Sequence, residues 1–425
     1  MTDPAIRIST LDAGIRIVTE AMPTLRSASV GFWVGSGARD EPDALAGASH
    51  FLEHLLFKGT DRRTAAEIAE EVESVGGDMN AFTSHEVTSF YVRVPAPRLA
   101  LAVDVLSDIV WSPALRPDEV ESERKVILEE IRTRDDDPDD VVVDAFAAAI
   151  FPGQPVGREI AGSRESIEGM PRDDIARYHR THYQPDNLVV AAAGNVDHDE
   201  VVALVADALQ IHDAPTRPER ILHPGEPGPL PLVVIEDDLE QVHLVLGTRA
   251  LAVDDPDRYA LAMLNQVLGG GMSSRLFQEV REQRGLAYSV YSFRAAYAET
   301  GALGIYAGTA PERVGELLEV LHAQLDRIVA DGGVTARELE SAKGHIVGSA
   351  AVSLESSSSR MNRIGQSLLS HDEVPSLDEL VVRFEAVTAD DVARVVDRVL
   401  RDAPRTLAAV GPVDEAALAG STPAV

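Results

Sequence analysis

Cysteine is absent from this 425-residue chain, which excludes disulfides and thiol catalysis and leaves the redox compartment open. Lysine is almost absent too. It occurs only at Lys58, Lys125 and Lys343, and arginine supplies the other cations. No run of apolar residues is long enough to span a bilayer, so no membrane-spanning segment is expected. The opening Met1-Thr-Asp-Pro-Ala-Ile-Arg7 has neither the basic segment nor the apolar segment of a secretory signal, and a cytoplasmic location is expected by default. Positive charge is short overall, with 38 Lys and Arg against 70 Asp and Glu, a net charge of −32. That balance argues against nucleic acid or anionic membrane as a partner. It fits a salt-loving source, a GC-rich genome or an acidic chamber that attracts basic substrates, and composition does not separate these.

What the chain does have is length and apolar content. A chain of 425 residues with 45% hydrophobic residues is globular and too long for one ordinary core, so two domains are expected. The division falls at His212-Asp-Ala-Pro-Thr-Arg-Pro218 and His223-Pro-Gly-Glu-Pro-Gly-Pro-Leu-Pro231, where clustered proline and glycine exclude helix or central strand. This gives an N-terminal domain over 1–211, a linker over 212–231 and a C-terminal domain over 232–425.

The two halves carry echoes of each other. Asp40-Glu-Pro-Asp43 returns as Asp254-Asp-Pro-Asp257, and Glu119-Val-Glu-Ser-Glu-Arg124 as Glu338-Leu-Glu-Ser-Ala-Lys343. Leu188-Val-Val-Ala-Ala-Ala-Gly194 returns as Leu407-Ala-Ala-Val-Gly411. The offsets are 214, 219 and 217 residues, in order along the chain.

The stretch with the most chemistry is His50-Phe-Leu-Glu53-His54. Two histidines four apart on a helix share a face, with Cβ atoms about 5–6 Å apart, and Glu53 lies beside both. Two imidazoles so placed suit Zn²⁺, and a free carboxylate next to them can take a proton from a metal-activated water. The order is the reverse of the commoner H-E-x-x-H. Phe51, Leu52, Leu55, Leu56 and Phe57 make the helix apolar on most sides. Burying two His and a Glu there without a partner would cost several kcal/mol. A cluster satisfied by hydrogen bonds is the other reading.

A hydrolytic zinc site takes three protein ligands. The charged helix expected over 118–134 offers Glu119, Glu121, Glu123, Glu129 and Glu130, which on spacing alone are equally a solvated helix face. The internal repeat narrows the choice. His50, Glu53 and His54 fall opposite Leu264, Val267 and Leu268, while Glu123 and Glu130 fall opposite Ala342 and Ser349. Glu130 is therefore taken as the third ligand and Glu123 as a carboxylate that orients a ligand histidine.

These residues together resemble the pitrilysin / insulin-degrading enzyme / mitochondrial-processing-peptidase family of inverted-motif zinc peptidases, in its processing-peptidase-like bacterial branch. The resemblance extends over essentially the whole chain. It implies an α+β fold of two homologous α/β sandwich domains, each a mixed sheet plus helices, facing each other around a chamber. It implies one Zn²⁺ per chain on His50, His54 and Glu130, with Glu53 as general base. Asn80-Ala81-Phe82-Thr83 matches the family's substrate-binding edge strand, and Gly269-Gly270-Gly271 its glycine-rich substrate-binding segment. Arg281 and Tyr288 match a pair from the second domain that holds substrate carbonyls and the tetrahedral oxyanion. The implied activity is zinc-dependent endoproteolysis of extended or unfolded peptides, with basic ones suggested by the acidic surplus. The implied assembly is a homodimer, or a heterodimer with a related subunit. Two other readings stand beside it: a catalytically silent structural or peptide-binding subunit, and a module that keeps metal for stability only. His85, His179, His182 and His243 have no ligand-like spacing and are read as structural or surface residues.

Overall fold

The computed structural model describes residues 5–210, 217–223, 227–418 and 420, so residues 212–216 and 224–226 of the expected linker lie outside the described residues. The chain forms two compact units, and neither is continuous in sequence. One comprises Met1–Arg132, Glu159–Arg220 and Ala351–Ser376, and the other Thr133–Arg158, Ile221–Ala350 and Leu377–Val425.

The first unit holds a six-stranded sheet of β1 (Ile6–Thr10), β2 (Arg16–Ala21), β3 (Ser27–Val34), β4 (Asp78–Thr83), β5 (Thr88–Pro95) and β6 (Leu188–Gly194), in the order β1-β2-β6-β3-β5-β4. The second holds β7 (Leu232–Glu236), β8 (Val242–Ala250), β9 (Val290–Ala296), β10 (Gly301–Thr309) and β11 (Thr406–Gly411), in the order β7-β11-β8-β10-β9. With β1 set aside, the two orders are the same. Each sheet has one parallel pair at the same place, β2 with β6 and β7 with β11, and is otherwise antiparallel. The echoes in the sequence are thus the trace of a repeated mixed α/β topology, as expected.

Strand β3 shows why its residues form a central strand. Its period of two sends Ala28, Val30, Phe32 and Val34 into the main core of the first unit, while Trp33 points to the opposite face. There it meets Met361, Ile364 and Leu368 from the helix Ser357–His371. Both faces are covered, so Val30, Phe32, Trp33 and Val34 are all at most 1% exposed. In the second unit the helix Pro138–Ile150 plays the corresponding part, placing Val142, Phe146 and Ile150 against Val245, Tyr306, Ala408 and Val410.

Each sheet therefore has one face closed by a helix drawn from the other half of the sequence. The boundaries 1–211 and 232–425 differ from the observed units in these two segments, 133–158 and 351–376. The cause is apolar burial: each of these helices carries an apolar stripe that its own half of the chain does not cover.

Candidate metal centre

The histidines lie on the helix Ala48–Leu56, which buries Phe51, Leu52, Leu55 and Leu56 and leaves His50, Glu53 and His54 half-buried along one side. Its start is fixed from outside. Gly47 stands at the N-cap with φ +94° and offers no side chain to the free amides. Glu41 supplies the acceptors instead: its two carboxylate oxygens take the Gly47 N–H at 2.7 Å and the Ser49 N–H at 2.6 Å. A carboxylate at a helix N-terminus satisfies otherwise unpaired donors and complements the dipole. A Cβ at Gly47 would stand 2.4 Å from the Ala161 carbonyl oxygen, so the left-handed residue must also be the smallest.

Beneath this helix runs a buried polar chain. Ser49 Oγ bonds the Tyr178 hydroxyl at 3.0 Å, that hydroxyl bonds Ser36 Oγ at 3.0 Å, and Ser36 Oγ bonds His182 Nδ1 at 3.0 Å. Tyr178 and His182 stack with ring centres 4.1 Å apart. Burial holds the His182 imidazole neutral, dropping its pKa from the ordinary 6.5 to about 4, with the Arg217 and Arg220 charges adding to the effect against Asp40. His179 donates from Nε2 to the Val110 carbonyl oxygen at 2.8 Å. Both histidines are structural, as their spacing suggested.

The carboxylates come from the helix Pro117–Asp135, whose inward face is Val120, Glu123, Ile127 and Ile131. Glu121 and Glu129 are exposed and Glu119 is half-buried, whereas Glu123 is 4% exposed and Glu130, open to solvent, stands on the flank beside the histidines. Glu130 Oε2 lies 3.4 Å from His54 Nε2 and 3.8 Å from His50 Nε2. The two imidazole rings are 4.7 Å apart and nearly perpendicular, at 74°. One ligand atom from each of His50, His54 and Glu130 falls within 4.8 Å of the others. In a tetrahedral zinc site with bonds of about 2.1 Å, ligand atoms stand about 3.4 Å apart. The donor set fits zinc: the two Glu130–histidine distances stand at that spacing or a few tenths of an ångström beyond it.

Two further groups complete the surroundings. Glu123 Oε2 lies 3.2 Å from His54 Nδ1, on the far side of the ring from Glu130, and its Oε1 accepts from the Lys58 ammonium at 2.8 Å. The Thr83 hydroxyl donates to Glu53 Oε2 at 2.6 Å. Burial raises the Glu53 pKa, with the Thr83 bond and His54 working against it and Glu130 with it. Neither Lys58 nor the hydroxyl of Thr83 was legible as a contact: no spacing rule joins residue 58 to 123 or 53 to 83.

Strand β4, which carries Asn80, Ala81, Phe82 and Thr83, is the terminal strand of its sheet and among the described residues pairs with β5 alone. Asn80 folds its own carbonyl back onto the Ala81 N–H at 2.8 Å, and Phe82 packs edge-on against Trp33. In the second unit, the Arg281 guanidinium lies over the Tyr288 ring at 4.3 Å and over Phe277 at 4.9 Å, and Tyr288 is 80% exposed. Gly269 ends the helix Arg258–Gly269, with Gly270 and Gly271 following. A Cβ at Gly269 would stand 2.3 Å from the Ser292 backbone nitrogen, so packing against β9 already explains this glycine.

A sequence model described as Insulinase (Peptidase family M16) matches residues 16–164, and one described as Peptidase M16 inactive domain matches residues 169–345. An uncharacterized zinc protease of Streptomyces coelicolor is 44% identical over 421 residues, covering 96% of this chain and 90% of that protein. The chain belongs to peptidase family M16. A probable mitochondrial-processing peptidase subunit beta of Arabidopsis thaliana, another M16 relative, is 32% identical over 431 residues, covering 98% of this chain and 80% of its own length. The crystal structure of a protease from Helicobacter pylori shares the fold with a TM-score of 0.91 at 26% identity, covering 96% of this chain and all of that one. The inactive-domain match falls mainly on the half where Leu264, Val267 and Leu268 replace the three polar groups of the histidine helix. Among the described residues, no helix is long and apolar enough to cross a membrane.

Proposed function

We propose that this M16 protein is a zinc-dependent metalloendopeptidase acting on extended or unfolded peptides. The observation that carries the reading is the convergence of His50 Nε2, His54 Nε2 and Glu130 Oε2 beside a half-buried carboxylate, Glu53. His50, His54 and Glu130 would hold the zinc ion, which when bound polarises a peptide carbonyl and makes water acidic enough to attack near neutral pH. Thr83 occupies Glu53 Oε2, which leaves Oε1 to take the proton of the attacking water and pass it to the leaving amine. A substrate peptide would add to the free edge of β4 as a further strand, drawing affinity from backbone hydrogen bonds without demanding a sequence. Glu123 keeps His54 in orientation from behind.

Support for Arg281 and Tyr288 as groups that hold substrate carbonyls and oxyanion, and for Gly269–Gly271 as substrate contacts, comes from the family resemblance. Pairing of two chains, identical or related, is proposed on the same ground, and a preference for basic peptides on the net charge of −32. The test is cleavage of an unstructured basic peptide by wild-type protein, with and without chelator, and by Glu53→Gln. Glu53→Gln should keep its zinc content and fold while cleavage disappears. Cleavage that survives this change, or that ignores the chelator, would refute the assignment; zinc bound without any cleavage would favour a silent subunit.

A further inference from the structure

We propose that Lys58 is a positioning residue for the zinc ligand His54, acting through Glu123. The inference rests on the reading of His50, His54 and Glu130 as a zinc site. Lys58 lies four residues beyond His54, just after the end of the histidine helix, and its ammonium sits 2.8 Å from Glu123 Oε1. The other oxygen, Oε2, lies 3.2 Å from His54 Nδ1. Three groups are thus joined in a line, cation to carboxylate to imidazole, with the carboxylate side chain only 5% exposed.

Each link has a consequence. An ionised carboxylate only accepts hydrogen bonds, so Glu123 places the ring proton of His54 on Nδ1. That leaves the Nε2 lone pair directed at Glu130 and the ion. Lys58 holds the other oxygen, Oε1, at 2.8 Å, which fixes the buried carboxylate so that Oε2 stays on the His54 ring. A lysine also suits the task better than an arginine. Its ammonium is a point charge that can hold one oxygen, whereas a guanidinium fork takes both and would compete with His54 for Oε2. In a chain where lysine occurs three times among 38 cations, its use here stands out.

The internal repeat supplies an independent comparison. By the 214-residue offset of the histidine helix, Lys58 falls opposite Met272, and Glu123 falls opposite Ala342. The copy that lacks the histidines lacks both members of the ion pair. If the pair served only to fasten one helix to another, the second copy would have equal use for it.

The experiment measures zinc affinity of the full chain by competition with a chromophoric chelator, for wild type, Lys58→Met, Lys58→Arg, Glu123→Gln and the double variant Lys58→Met with Glu123→Gln. Two further readouts are the urea midpoint of each metal-free protein and the ¹⁵N shifts of the His54 ring in metal-free protein. Removal of groups that orient a ligand weakens metal binding by about 10–100-fold. Glu123→Gln should fall in that range. Lys58→Met should weaken zinc binding about tenfold, Lys58→Arg by less but measurably, and the double variant no more than Glu123→Gln alone. His54 should show the Nδ1–H form in wild type and a mixture in Lys58→Met. Zinc binding by Lys58→Met as tight as wild type or tighter, losses that add in the double variant, or an unchanged His54 ring would overturn the proposal. Wild-type protein that binds no zinc would instead overturn the metal reading, and the ¹⁵N comparison still decides whether Lys58 sets the His54 tautomer.

Discussion

His182 offers a quantitative test of how the floor beneath the histidine helix is built. The residue is 5% exposed, accepts or donates one bond with Ser36, and lies stacked on Tyr178, which in turn bonds Ser49 of the helix. Burial lowers its pKa in the folded protein from 6.5 to about 4. Between these values the unfolded chain binds a proton that the folded protein does not, so stability rises with pH across the window. The contribution is fully present above about pH 6.5 and is lost as the pH falls to about 4. Its size is about 3 kcal/mol, since each pKa unit corresponds to about 1.4 kcal/mol. The perturbation is His182→Gln, which keeps a polar group near Ser36 but cannot take up the proton. Urea unfolding followed by circular dichroism, at intervals from pH 7.5 to 4, should show wild type losing about 3 kcal/mol more than the variant. At pH 7 the variant itself should be about 1–2 kcal/mol less stable, from its imperfect replacement of the buried bond. The imidazole Cε1–H resonance of His182 should not titrate above pH 5. Parallel stability curves for the two proteins, or a resonance that titrates near 6.5, would refute the reasoning.

Two other predictions concern packing around the site. Glu41→Gln removes the charge and one of the two acceptors at the start of the histidine helix, and should cost about 1–3 kcal/mol in urea unfolding of the metal-free protein; zinc affinity should fall with it, because His50 stands in the first turn, and a variant that loses neither would show that Glu41 does not set the helix start. Gly365→Ala would bring a Cβ to 2.4 Å from Trp33 Nε1 and should lower stability by about 1–3 kcal/mol, loosening the helix Ser357–His371 from the first sheet; a thermal midpoint equal to that of wild type would contradict the close approach.

Much of the site was legible because its signals are local. His50, Glu53 and His54 share a helical side by spacing alone. The choice of Glu123 and Glu130 among five glutamates needed the repeat, and the structure sets them apart by contact: Glu123 is buried against His54, and Glu130, though exposed, lies within 3.8 Å of both histidines. Contacts between residues far apart in sequence were not legible. Thr83 on Glu53, Lys58 on Glu123 and Glu41 on the helix amides each depend on how strands and helices come to lie beside one another.

Sequence by itself determined the helical spacing of His50, Glu53 and His54, the likeness of the two halves, and the placement of His50, Glu53, His54, Glu123 and Glu130 in one copy only. These follow from side-chain spacing and residue type, which act over a few residues or repeat along the chain. Tertiary structure decided which apolar face covers which sheet, sending 351–376 to the first unit and 133–158 to the second, and which buried carboxylates find partners. Hydrophobic burial is non-directional, so an apolar stripe states that a helix must be covered but not by what. Only the packed chain supplies that answer.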